Sequence, residues 1–132
     1  MTFKNLIYIS AFLIMAPYCF GQKVKIKDNL ILVDNEPYVK KSKTGISTDS
    51  YSLFTLKNNK EVIFVLDVPP QTEGEIRYPY YHYLVKFIGT KKEVRFGDNR
   101  IKKLIQELYK NNVISDSGLN LNQVDTFIEK YK

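Results

Sequence analysis

The chain has 132 residues, a formal net charge of +6, one cysteine, one histidine and no tryptophan. That length suits a single domain able to bury a core without disulfide or metal staples. Its basic charge is scattered as KVKIK at 23–27, KK at 40–41, KK at 91–92 and RIKK at 100–103. It never gathers into a block of the kind that marks nucleic acid as the partner, so a solvated surface or weak attraction to acidic envelope polymers is expected.

Residues 1–21 read as a signal peptide. Lys4 gives the positive start, Leu6 to Met15 (LIYISAFLIM) the apolar stretch, and Pro17 breaks it. Cys19-Phe20-Gly21 then places small residues at the recognition positions for cleavage before Gln22. The apolar run from Leu6 to Phe20 is shorter than the ~20 residues needed to span a bilayer. Lipidation at Cys19 is disfavoured, because the bulky Tyr18 precedes it where a small residue is needed. Once the leader is removed no thiol is left, which excludes disulfides, thiol catalysis and thiolate metal ligands together.

Residues 22–132 form a single α+β domain in this reading, with strands across about 23–96 and helices at about 98–112 and 120–131. Val24 and Ile26 alternate with lysines, the period of a half-buried strand. Asp28-Asn29 and Asp34-Asn35 tolerate positive φ and predict hairpin turns. Pro37 has no amide hydrogen and belongs at a strand's start or on an edge. After the loop 42–49, SYSLFTL and EVIFVLD flank Lys57-Asn58-Asn59-Lys60 as a second hairpin. Val62 to Leu66 is apolar at every position and predicts a strand covered on both faces. VPPQTEGEIRYP at 68–79 is the longest irregular stretch, and loops of that length are functional or mobile.

Next comes RYPYYHYLVKF at 77–87, followed by a turn around Gly89 and the returning strand KEVRF. Counting in twos puts Tyr81, Tyr83, Val85 and Phe87 on an apolar core face. Tyr80, His82, Leu84, Lys86 and Ile88 fall on a mixed, partly solvated one. Ile101, Leu104, Ile105, Leu108 and Tyr109 then recur at helical spacing, with Asp98 as the expected N-cap and Asn111-Asn112 as a left-handed stop. Asn120 and Gln123 suggest a capping box, Leu119 and Val124 a hydrophobic staple, and Val124, Phe127, Ile128 and Tyr131 a second buried stripe. The expected product is an antiparallel meander of six to seven strands with a two-helix hairpin packed on one face.

Chemistry-bearing motifs are sparse. His82 alone, without cysteine, makes a zinc site improbable, and no serine elbow or glycine-rich phosphate loop is present. Glu73 and Glu75 stand two apart on one loop, unlike carboxylates facing each other across a glycosidase cleft. The segment 115–120 lacks the spacing of a calcium loop. No catalytic set, metal or cofactor is therefore expected. Tyr78, Tyr80, His82 and Lys86 are the candidate binding residues, since tyrosines beside basic groups suit protein or glycan contacts. Export argues against nucleic acid, so an envelope protein or glycan is the expected partner. Two other readings stay open: a small periplasmic hydrolase using His82 with the loop carboxylates, and an inhibitor of an envelope hydrolase. Nothing in the pattern specifies an oligomeric state.

The leader ending FGQ, the KVKIK strand, the turn phrase LVDNEPYVK and the tail GLNLNQVDTFIEKY resemble small exported uncharacterised proteins of Bacteroidetes. The resemblance covers both ends of the domain and little between residues 42 and 90. It implies an envelope or secreted location. It brings no activity and no functional residues.

Overall fold

A computed structural model of the chain describes residues 22–43, 50–70, 82–98 and 100–132. The expected leader, Tyr78, Tyr80, Glu73 and Glu75 lie outside these residues. The fold is α+β. Seven strands, β1 (Val24–Lys27), β2 (Leu30–Val33), β3 (Glu36–Lys43), β4 (Tyr51–Thr55), β5 (Glu61–Val68), β6 (His82–Phe87) and β7 (Glu93–Phe96), follow one another across a single sheet in chain order. Every neighbouring pair is antiparallel. Two helices complete the chain, α1 (Ile101–Lys110) and α2 (Leu121–Tyr131).

The hairpins form where Asn and Asp make positive φ inexpensive. Asp28 stands at φ 53°, and both central residues of the next turn, Asp34 (53°) and Asn35 (68°), are left-handed. That is the handedness matching the twist of the flanking strands. Asn59 turns the β4–β5 connection at φ 51°. There the Thr55 hydroxyl donates to the Asn58 carboxamide oxygen and accepts from the Lys60 amide at 3.1 Å. Pro37 is tolerated within β3 because the β2–β3 ladder slips beside it, between Ile31 and Leu32.

One face of the sheet carries the core. Ile31, Val39, Leu53, Ile63, Val65, Val85 and Phe87 are essentially sealed from solvent. Both helices bury their stripes against this face. Leu104, Ile105 and Leu108 of α1 and Val124 and Phe127 of α2 are sealed, and Phe127 meets Phe87 edge-to-face at 6.2 Å between ring centroids. Tyr131 packs on Phe96 at 5.1 Å, and Tyr109 edges against Tyr38 at 5.2 Å. Burying each such side chain contributes roughly 1.5–3 kcal/mol. Among the described residues, no helix is long and apolar enough to cross a membrane.

The helix ends depart from expectation. α1 begins at Ile101 with Arg100 in the N-cap position and no side-chain cap. Asp98 instead accepts from the Arg100 amide at 2.9 Å and clasps its guanidinium at 2.6 Å, so an ion pair outcompetes the cap. That clasp holds the Asp98 carboxyl below its ordinary pKa, the hydrogen bond from Arg100 being the main cause. Asn120 does occupy the N-cap position of α2, but its carboxamide reaches back to the Asn112 carbonyl at 2.7 Å. It thereby ties the linker to the end of α1 instead of forming the capping box. Asn112 itself stands at φ 53°, the left-handed stop that its sequence position suggests.

Candidate functional site: the open sheet face and the edges of the helices

The two faces of the sheet are unequal. Strand alternation sends Leu30, Leu32, Phe54, Phe64, Leu66, Val68 and Leu84 to the side away from the helices, and all seven are only half-buried. Val62, Ile63 and Val65 are sealed and Phe64 and Leu66 half-buried, so the expected cover over Val62 to Leu66 is complete on the helix side and partial on the other. Ile63 and Val65 face the helices, while among the described residues no helix or strand is layered over Phe64 and Leu66. Lys25, Lys27, Lys40 and Lys86 share that outer face and frame its apolar centre. Ser52, also on it, donates to Glu61 at 2.8 Å.

His82 lies on this face by register, but it is not solvated. It is 0% exposed, and its Nε2 sits 2.8 Å from Arg95 Nη1. A guanidinium can only donate, so Nε2 must be the acceptor and the ring must keep a lone pair on that nitrogen. The ring thereby serves as a fixed acceptor in the wall of the sheet. His82, Glu93 and Arg95 also border a cleft of about 490 Å³ at the β7 edge, closed on the other side by Ile128, Tyr131 and Lys132 of the last helix and its end. Lys86 is exposed, opposite Glu93 on β7 and Phe64 on β5. Of the four candidate binding residues, the structure therefore describes His82 as buried and Lys86 as open.

Sequence reasoning passes over Glu107, which reads as one more charge beside the apolar stripe of α1. It is 5% exposed. Tyr131 of α2 donates to its Oε2 at 2.5 Å, and Lys130 follows at 3.4 Å. On its own helix, Lys103 stands 3.5 Å and Lys110 4.0 Å from Oε1. Burial alone would raise the carboxyl, but the Tyr131 hydroxyl together with Lys130 and Lys110 overcomes it and holds the group below its ordinary pKa. Burial and this carboxylate push the Tyr131 hydroxyl up in turn. The arrangement is a polar latch joining the two helices.

Beside the latch, residues far apart in the chain converge. The Gln106 carboxamide donates to the Gln22 carbonyl at 2.8 Å, docking the start of β1 onto α1. Lys23, Lys102, Lys103 and Lys110 border the resulting groove of about 500 Å³, with Glu107 in its wall. Among the described residues, no three His, Cys, Asp or Glu side chains come together to hold a metal ion. Comparison with protein-family models, curated proteins and solved structures finds no match to the chain.

Proposed function

We propose that the chain is an exported, non-enzymatic binding module that docks a protein partner on its open sheet face. The observation that carries this is the row of seven half-buried apolar side chains left on a face where no described element is layered. Contiguous apolar side chains left partly accessible and rimmed by polar groups suit an interaction surface. Leucine and phenylalanine set between lysines suit a partner with an apolar ridge flanked by carboxylates. A glycan would ask for hydroxyl-binding groups instead. Export is supported by the leader-like segment 1–21.

The geometry of His82 favours binding over catalysis. Its Nε2 lone pair is committed to Arg95 and its ring is sealed, so proton transfer from a substrate would first require that contact to break.

Two measurements test the proposal. The mass of the product released from the envelope should correspond to a chain beginning at Gln22. A Phe64→Glu, Leu84→Glu variant that still melts cooperatively should lose the protein cross-linked to the wild type in envelope extract. If the folded variant keeps that protein, the open face is not the docking site.

A further inference from the structure

β7 stands at one end of the strand order, and among the described residues no strand pairs on its far side. The direction of its backbone groups follows from one hydrogen bond. The Phe87 amide donates to the Lys92 carbonyl at 3.1 Å, which makes these two a hydrogen-bonded pair of the antiparallel ladder. Alternation then turns the amides and carbonyls of Val94 and Phe96 toward β6, opposite Val85 and Tyr83. It turns those of Glu93 and Arg95 outward, to the edge of the sheet. The cleft of about 490 Å³ borders this same edge, with Ile128 and Tyr131 of α2 as its apolar wall.

An outward-facing ladder is a template for another strand, and the side chains along it decide which strand fits. β1, at the opposite edge, gives the contrast. Its Lys25 and Lys27 carry a single sign, so two β1 edges brought together would set lysine against lysine. β7 carries both signs. Glu93 and Arg95 lie on the outer face, either side of Val94, which faces the helices and is 5% exposed. When two copies of β7 run antiparallel about a two-fold axis at Val94, Glu93 of each copy falls opposite Arg95 of the other. Both are then hydrogen-bonded pairs, as the outward groups require, and Val94 meets its own counterpart in a non-hydrogen-bonded pair. Moving the axis to a neighbouring outer-face residue sets Arg95 against Arg95 or Glu93 against Glu93, so charge selects one register. Arg95 keeps its 2.8 Å contact with His82 in this arrangement, because a guanidinium has several N–H donors to distribute. On the helix side, the paired valines are flanked by Ile128 and Tyr131, which each copy leaves only partly buried.

We infer that β7 pairs with β7 of a second copy of this chain, forming a two-fold dimer in which the two sheets run on as one and a pair of Glu93–Arg95 contacts fixes the register. A contact of this kind is isologous, so it closes on itself and does not grow into a fibre. It uses the edge of the sheet and leaves the row Phe64, Leu66 and Leu84 uncovered. Failure of this inference therefore leaves the docking of a protein on the open face standing, and the reverse holds equally.

The paired stretch is short, so the dimer should be weak and dependent on concentration. Sedimentation equilibrium of the purified protein should show monomer passing to dimer, and to no larger species, as the concentration rises through the micromolar range. Glu93→Arg sets arginine against arginine at both contacts. It should weaken the dimer by about tenfold or more while the protein still melts cooperatively. Val94→Cys, made together with Cys19→Ser so that it holds the chain's one thiol, should link two copies by a disulfide under mild oxidation. Non-hydrogen-bonded partners bring their Cα atoms within disulfide reach. Lys27→Cys with Cys19→Ser, on the opposite edge, should stay unlinked at the same concentration. A protein that remains monomeric up to the millimolar range overturns the proposal. So does a dimer that Glu93→Arg leaves intact, or a Val94→Cys protein that links no faster than Lys27→Cys, since either result places the contact on another surface.

Discussion

Glu107 stands where an apolar residue would ordinarily complete the stripe of α1, and its ionisation makes the contact between the helices depend on pH. Its folded pKa lies below the ordinary 4.5, because Tyr131, Lys130 and Lys110 outweigh the cost of burial. A carboxyl lowered in this way stabilises the fold fully above its unfolded pKa, and that stability drains away as pH falls through the folded value. The lysines are about half exposed, so solvent screens them, and the Tyr131 hydrogen bond is the larger part of the latch. Glu107→Gln keeps a hydrogen-bond acceptor for Tyr131 but removes the charge. It should cost about 1 kcal/mol near neutral pH, roughly 4–8 °C in melting temperature. That gap should close as the pH is lowered through the ordinary carboxylate range and below it. Melting curves recorded across the acid range check this, and a gap that stays constant down to strongly acid pH would mean the charge does not matter to the latch.

Among the elements, the tight hairpin between β2 and β3 is the cleanest link from residue type to structure. Asp34 and Asn35 both take positive φ, which an ordinary side chain resists by roughly 1–2 kcal/mol. Asn35→Gly should therefore leave the melting temperature unchanged or slightly higher, whereas Asn35→Ala should lower stability by about 1 kcal/mol, measured by urea titration. These turns are legible in the sequence because their cause lies within two adjacent residues. The same holds for the stripe Leu104, Ile105 and Leu108, whose spacing alone places it on one helical face. Glu107 is not legible, because what buries it is Tyr131, 24 positions along the chain, and no local pattern encodes that meeting. Asp98 misleads for a related reason: two chemically sound partners compete for one carboxylate, and Arg100 prevails over the helix amides. The basic first turn of α1 sets up a further contrast. Lys102→Glu replaces an exposed cation at the positive end of the helix dipole, so it should raise stability by about 0.3–1 kcal/mol. A residue kept for stability alone would not show that sign. A fall in melting temperature on Lys102→Glu would point to a structural role for the lysine.

At the scale of the whole molecule, the two helices shield one side of a sheet whose strands carry apolar residues on both. The register makes the asymmetry testable with neighbouring positions. Val65 is sealed beneath the helices, and Leu66, next in the strand, points to the open side. Val65→Lys would bury an unpaired charge and should abolish cooperative folding. Leu66→Lys keeps most of the side chain's stem on the sheet and its ammonium in water, so it should cost no more than about 1 kcal/mol. The same substitution should remove partner binding at the open face, since a charge placed in a desolvated apolar centre cannot be satisfied by an apolar ridge. Melting of both variants, with cross-linking of Leu66→Lys, separates the effect on stability from the effect on binding. If Leu66→Lys unfolds as readily as Val65→Lys, the outer face is structural and something in the chain covers it. If it folds and loses its protein partner, the outer face serves docking and the helix-covered face alone holds the fold together.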